Sequence, residues 1–171
     1  GNHDSEQGEM SREELMAYYN SFSCSVSVDD GEALTGCGTY NIPVLSSDGK
    51  KVKFNLWVFD SGDYDDEGRY SCVQPDRVEW YKKTSDKLKK ENGGEAVNSL
   101  VFQHIIVGEI YDALMKADSH KYYSYKHLYN EDEYYMFDPD RVNYGTIRET
   151  PCPGYANYGQ FDAMVEKGDV L

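Results

Sequence analysis

The residues best equipped for chemistry stand at the start: Gly1-Asn2-His3-Asp4 sets an amide oxygen, an imidazole and a carboxylate side by side. An amide oxygen is a neutral donor suited to a hard cation. A histidine can pass a proton to a leaving group, and a neighbouring carboxylate can hold its tautomer. Glycine lets the backbone approach an ion closely. Taken alone, the four residues also describe an ordinary polar terminus, because short motifs arise readily by chance. A second imidazole, His104, ends the apolar run Ser99-Leu100-Val101-Phe102-Gln103-His104-Ile105. The C-terminal end of a buried strand is where α/β folds gather ligands. A lone histidine there is otherwise a core or edge residue bonded to backbone.

The surrounding sequence predicts the elements that must position these groups. Ser11-Arg12-Glu13-Glu14 is a capping box, and Leu15, Tyr18, Tyr19 and Phe22 follow at helical spacing, which predicts a helix over 12–22. Residues 38–45 and 51–60 read as strands joined by the hairpin turn Ser46-Ser47-Asp48-Gly49. The second of these is apolar on both faces in its latter half, as in a buried sheet. Pro75-Asp76 opens a helix that Gly93-Gly94 closes, with Val78, Tyr81, Ser85 and Leu88 as its inner stripe and five lysines facing water. Residues 100–105 form a short strand and 109–116 a helix. Residues 118–157 are tyrosine-rich and irregular, punctuated by Pro139, Pro151 and Pro153. A last helix carries Phe161, Met164 and Val165 and stops at Gly168, after which Asp169-Val170-Leu171 begins another strand. Strands alternating with helices predict an α/β fold. The chain opens on a functional loop and closes inside a strand, so an internal segment of a larger enzyme is expected.

Length allows one domain with its own core in 171 residues. Sixteen tyrosines make the chain aromatic without making it apolar. The net charge of −14 repels nucleic-acid backbones and anionic membranes, so neither is expected as a partner. It repels phosphate esters as well, unless bound cations reverse the local sign. Four cysteines without a CxxC pair argue against a zinc ribbon. No apolar run is long enough to span a bilayer.

Between and beyond the two histidine blocks, three further stretches matter. Asn55-Leu56-Trp57-Val58-Phe59-Asp60-Ser61-Gly62-Asp63-Tyr64 is an apolar strand ending in an Asp-Ser-Gly-Asp-Tyr turn. Gln74-Pro75-Asp76-Arg77-Val78-Glu79-Trp80-Tyr81 starts a helix, and Cys152-Pro153 is followed by Gly159-Gln160-Phe161-Asp162-Ala163-Met164. In this order the blocks resemble the calcineurin-like metallophosphoesterases, in their purple acid phosphatase-like branch. The resemblance covers nearly the whole chain and is weakest over 118–150. It implies one partial domain over residues 1–171, the central segment of a four-layer α/β/β/α sandwich with mixed sheets, incomplete at both ends.

The resemblance further implies hydrolysis of a phosphomonoester or phosphodiester at two divalent or trivalent ions (Fe, Mn or Zn) that clamp the substrate for in-line attack. By motif match Asn2 and His104 become ligands of one ion, His3 protonates the leaving oxygen, and Asp4 orients His3. The family's upstream Asp-x-His and Gly-Asp-x-x-Asp blocks and its downstream Gly-His-x-His block are absent from this sequence. His120 and His127 fit no such pattern. Where the family has His-Ile-Pro, this chain reads His104-Ile105-Ile106. Two donors cannot hold two ions, so the chain alone is expected to be inactive.

Two other readings compete. Asp63-x-Asp65-x-Glu67-Gly68 mimics the start of a calcium loop, but position twelve is Gln74 and the flanks are not helices, so a solvated acidic turn is favoured. Tyr122, Tyr123, Tyr125, Tyr129, Tyr134 and Tyr135 could instead form the contact surface of a non-catalytic module for a carbohydrate or protein partner.

Overall fold

The computed structural model describes residues 2–6, 8–28, 34–118, 123–140 and 149–171, and within this set leaves the side chains of Asp4 and Ser5 undescribed. The chain is mixed α/β, with two small three-stranded sheets. A four-residue helix, α1 (His3–Glu6), precedes α2 (Arg12–Asn20). The predicted capping box starts α2: Glu14 N donates to Ser11 Oγ, and Ser11 N to Glu14 Oε2. Strands β1 (Tyr40–Leu45) and β2 (Val52–Val58) form the expected antiparallel hairpin, in register from Tyr40 opposite Val58 to Leu45 opposite Val52.

Helix α3 (Pro75–Glu91) then carries the chain across the sheet to β3 (Ser99–Phe102), which lies parallel to β2. Parallel neighbours need such a crossover. Helix α4 (Gln160–Lys167) ends on Gly168 in a left-handed conformation. Val170 then bridges Ser99 in parallel, so the strand expected at the end of the sequence begins on the free side of β3.

The core lies between this sheet and the helices. Trp57 stacks edge-to-face on Trp80 and Tyr81, with ring centroids 5.7 and 4.9 Å apart, and Phe59 packs on both. Val73, Val78, Leu88, Val97 and Ala163 complete it. Two polar knots tie the core together. In the first, Asp60 at the end of β2 receives Arg77 and Arg12. In the second, the buried Asp169 accepts from Tyr81 Oη and from Ser85 Oγ at 2.8 Å. Its carbonyl accepts from Ser99 Oγ, whose oxygen accepts from Trp57 Nε1.

The opposite face of the sheet differs from expectation. Ile42, Leu56 and Leu100 form one cross-strand row, and Tyr40, Val58 and Phe102 the next. Leu56 and Val58 are only half-buried, and Leu100 and Phe102 are 43% and 52% exposed. The sequence is apolar enough for burial on both sides, but this face stays half open: only at its Tyr40–Val58 corner do Leu15, Met16 and Tyr19 of α2 share a cavity with it, among the described residues.

The second sheet is a further departure. Residues 109–116, expected as a helix, form a 3-10 turn (Gly108–Ala113) followed by β4 (Met115–Ala117). No side-chain cap holds the first turn, and this short segment takes the tighter 3-10 form that serves as a connector. Here the buried Tyr111 anchors the turn instead, donating from its hydroxyl to Pro151 O at 2.9 Å and accepting from Leu128 N at 3.0 Å. The stretch expected to be irregular contains β5 (Tyr125–Lys126) and β6 (Tyr134–Met136), which pair antiparallel with β4 in the order β4-β6-β5. Among the described residues no helix is long and apolar enough to cross a membrane.

Candidate functional site

His104 follows β3 and is held from both sides. Gln103 before it accepts from Gln160 of α4, and Gln103 Nε2 donates to Ile105 O at 2.9 Å. Ile105 after it is buried, and its N–H donates to Ser61 Oγ at 2.9 Å. Ser61 belongs to the turn that leaves β2, so the ends of both parallel strands are tied together one residue from His104. The same turn needs Gly62: its φ is +81°, and an added Cβ would lie 2.5 Å from Ser71 Oγ.

Asn2, His3 and His104 line one cavity of about 510 Å³. The His3 and His104 rings meet edge-to-face with centroids 6.5 Å apart. Asn2 is fully buried, and its Nδ2 donates to Tyr64 Oη at 2.8 Å. His3 is exposed, and its Nδ1 bonds Glu6 Oε2 at 2.7 Å, one turn along α1. Glu6 in turn bonds the Tyr64 hydroxyl. Tyr64 thus fastens the beginning of the chain to the Asp-Ser-Gly-Asp-Tyr turn at two points. Asp4 sits in α1, but its side chain lies outside the described residues; the carboxylate found on His3 is that of Glu6.

The titrations follow this geometry. The His3 hydrogen bond, then that of Tyr64, holds the Glu6 carboxyl below the usual carboxylate value. Loss of water around the Tyr64 phenol, then Glu6, pushes that group up. Burial also pushes the Cys152 thiol on the cavity wall upward, so it stays protonated at neutral pH and is a poor nucleophile. Glu6, Tyr64, Tyr70, Glu149 and Cys152 were not singled out as site residues from the sequence. The one readable signal was the His3/Glu6 spacing, and a four-residue helix is too short for sequence periodicity to reveal.

The donor set bears on metals. Among the described residues, no group of three or more His, Cys, Asp or Glu side chains is arranged to hold an ion. Asn2 has committed its amide nitrogen to Tyr64, and His3 has committed Nδ1 to Glu6. One amide and one or two imidazoles do not fill the coordination shells of an ion pair. The residues of this chain therefore do not, by themselves, fit a dinuclear centre.

The acidic turn 63–69 is held by its own arginine. Asp65 Oδ1 accepts from Glu67 N and Arg69 N, both at 2.9 Å, and Oδ2 from Arg69 Nε at 2.7 Å. These carboxylate oxygens are engaged where a calcium loop would need them free. Of the six tyrosines read as a contact surface, Tyr122 lies outside the described residues. Tyr135 is buried and Tyr129 bonds Pro153 O, while Tyr123 is 53% exposed.

Neither a family model nor a solved structure matches the chain. Over 189 residues it is 27% identical to a protein of Arabidopsis thaliana named "Probable inactive purple acid phosphatase 14". The match takes in 99% of this chain but 41% of that protein, so the chain spans about two fifths of the relative's length. The similarity supports a metallophosphoesterase-related origin at this coarse level. The relative's own name marks it as inactive.

Proposed function

We propose that this chain is the central part of a metal-dependent phosphoesterase domain that cleaves a phosphomonoester or phosphodiester. The observation that carries the reading is the meeting of Asn2, His3 and His104 around one cavity, from positions about a hundred residues apart in the sequence. His3 is the proton donor to the leaving oxygen. Its Nδ1 bond to Glu6 orients the ring and leaves Nε2 for the substrate. Asn2 and His104 are ligand positions for one of two ions (Fe, Mn or Zn), whose remaining donors come from outside this chain. Asp4 is the carboxylate that the motif match assigns to orienting His3, a place that Glu6 takes on Nδ1 here.

The finer fold assignment belongs to the same reading. On this reading the sheet is half of a four-layer sandwich, and the half-open row of Ile42, Leu56, Val58, Leu100 and Phe102 is the surface a second sheet would cover. The similarity to a named phosphatase-family protein supports the reading, and that protein's inactive label fits a chain whose own donors are too few.

The test has two steps. The 171-residue chain, given manganese, iron or zinc, should show no phosphatase turnover; robust turnover would refute the claim that its donors are insufficient. A longer protein that adds an upstream Asp-x-His and a downstream Gly-His-x-His block should bind two metal ions per chain and lose affinity on His104→Ala. Failure of that protein to bind any divalent or trivalent metal would overturn the assignment.

A further inference from the structure

We infer that the cavity beside His3 and His104 selects phosphate esters of apolar alcohols, aryl or branched alkyl, that carry no second anionic group. The inference rests on the phosphoesterase reading and adds the substrate class. The cavity has lining of two kinds. Asn2, His3, Tyr70 and His104 are polar, and Ile106, Ile110, Leu114, Phe137 and Pro151 form an apolar wall. A phosphoryl group lodged by the histidines would direct its ester oxygen, and the alcohol attached to it, toward that wall. The volume of about 510 Å³ lies within the range of pockets for small ligands and exceeds what a phosphate alone would fill.

The wall is built rather than accidental. Ile110 lies in the 3-10 turn, Leu114 ends it, and Phe137 directly follows β6. Tyr111, between Ile110 and Leu114, stacks on His127 at 4.0 Å and meets Tyr135 of β6 at a tilt with centroids 4.8 Å apart, and its hydroxyl binds Pro151 O. These contacts tie the apolar wall to the second sheet, and a pre-shaped surface loses little entropy on binding. Charge sets the second half of the preference. Glu149 lines the same cavity and the chain carries −14, so another phosphate or carboxylate on the substrate would meet repulsion.

The experiment compares phenylphosphonate, methylphosphonate and 4-carboxyphenylphosphonate by ligand-detected NMR titration of the zinc-loaded longer protein that adds the upstream Asp-x-His and downstream Gly-His-x-His blocks. Phenylphosphonate should bind about tenfold or more tightly than methylphosphonate, the scale at which apolar pockets discriminate added carbon. The carboxylated probe should bind more weakly than phenylphosphonate. Phe137→Ala should shrink the phenyl preference to below threefold without changing methylphosphonate affinity. Ile106 is 39% exposed, so Ile106→Ser should do the same without a folding penalty. Equal affinities for the phenyl and methyl probes, or a preference unmoved by both variants, would overturn the inference and leave the phosphoester reading standing. Binding of none of the phosphonates would count against that reading and take the inference down with it.

Discussion

Replacing Asp60 by asparagine changes one atom and should cost far more stability than the same change at Asp169. Asp60 is 9% exposed, and all its carboxylate partners are N–H donors. Oδ1 accepts from Arg12 Nη2 and from Gly62 N, the latter at 2.9 Å. Oδ2 accepts from Arg77 Nη2 and Cys37 N, both at 2.9 Å. Asparagine has one oxygen, so whichever way its amide turns, two donors face an NH2 group. Hydrogen bonds to charged groups contribute about 1.5–3 kcal/mol each, which puts two of them at about 3–6 kcal/mol. Arg12 is partly exposed and its share is screened. A loss of about 3–5 kcal/mol remains, the scale of breaking a buried ion pair.

Asp169 is more deeply buried, at 3% exposed, but accepts from two hydroxyls, Tyr81 and Ser85. Hydroxyls both donate and accept. Either can turn to accept from an asparagine NH2, so Asp169→Asn should cost about 1 kcal/mol. Urea unfolding followed by the fluorescence of Trp57 and Trp80 reads both variants. The Asp60→Asn midpoint should fall by about 2 M at unchanged slope, and the Asp169→Asn midpoint by about 0.5 M. Equal losses in the two variants, or a loss below about 1 kcal/mol for Asp60→Asn, would refute the claim that donor identity sets the cost.

Three further outcomes are expected. The Glu6 carboxyl is depressed in the folded chain, so its contribution is present above the ordinary value of 4.5 and disappears as pH falls through the lower folded value. The His3 ring resonances should therefore report loss of the Glu6 contact only at acid pH, below that ordinary value; a transition near neutrality assigned to Glu6 would contradict the geometry. Gly154→Ala should destabilise by about 1–3 kcal/mol, because the new Cβ would lie 2.4 Å from Ser71 O and 2.6 Å from Cys72 Cβ. Gly108→Ala, with nothing within 4 Å, should leave the melting temperature unchanged. Leu100→Thr with Phe102→Thr should make the chain more monodisperse in sedimentation at little cost in stability, since both side chains are about half exposed on the open sheet face.

Several elements were legible because their signals are local. Ser11 and Glu14 form the capping box of α2, and Asp48-Gly49 turns the hairpin where the sequence places it. Pro75 opens α3, and Gly168 ends α4. The stripe Val78, Tyr81, Ser85 and Leu88 is buried as its spacing predicts, although Arg77 and Trp80 are buried with it. Arg77 escaped notice because its partner, Asp60, lies in another element. The second sheet was missed because strands of two and three residues carry no usable alternation.

For the candidate site, the sequence by itself determined which groups could act: Asn2, His3 and His104 are the right types, and the motifs around them carry the family resemblance. What they do together was decided only by tertiary structure. Glu6 binds His3, Tyr64 ties down Asn2 and Glu6, and Ile105 hangs on Ser61 to set His104 in place. Residue type is written in the chain, but a hydrogen bond across 44 or 62 positions exists only once strands and turns have brought its two ends within reach.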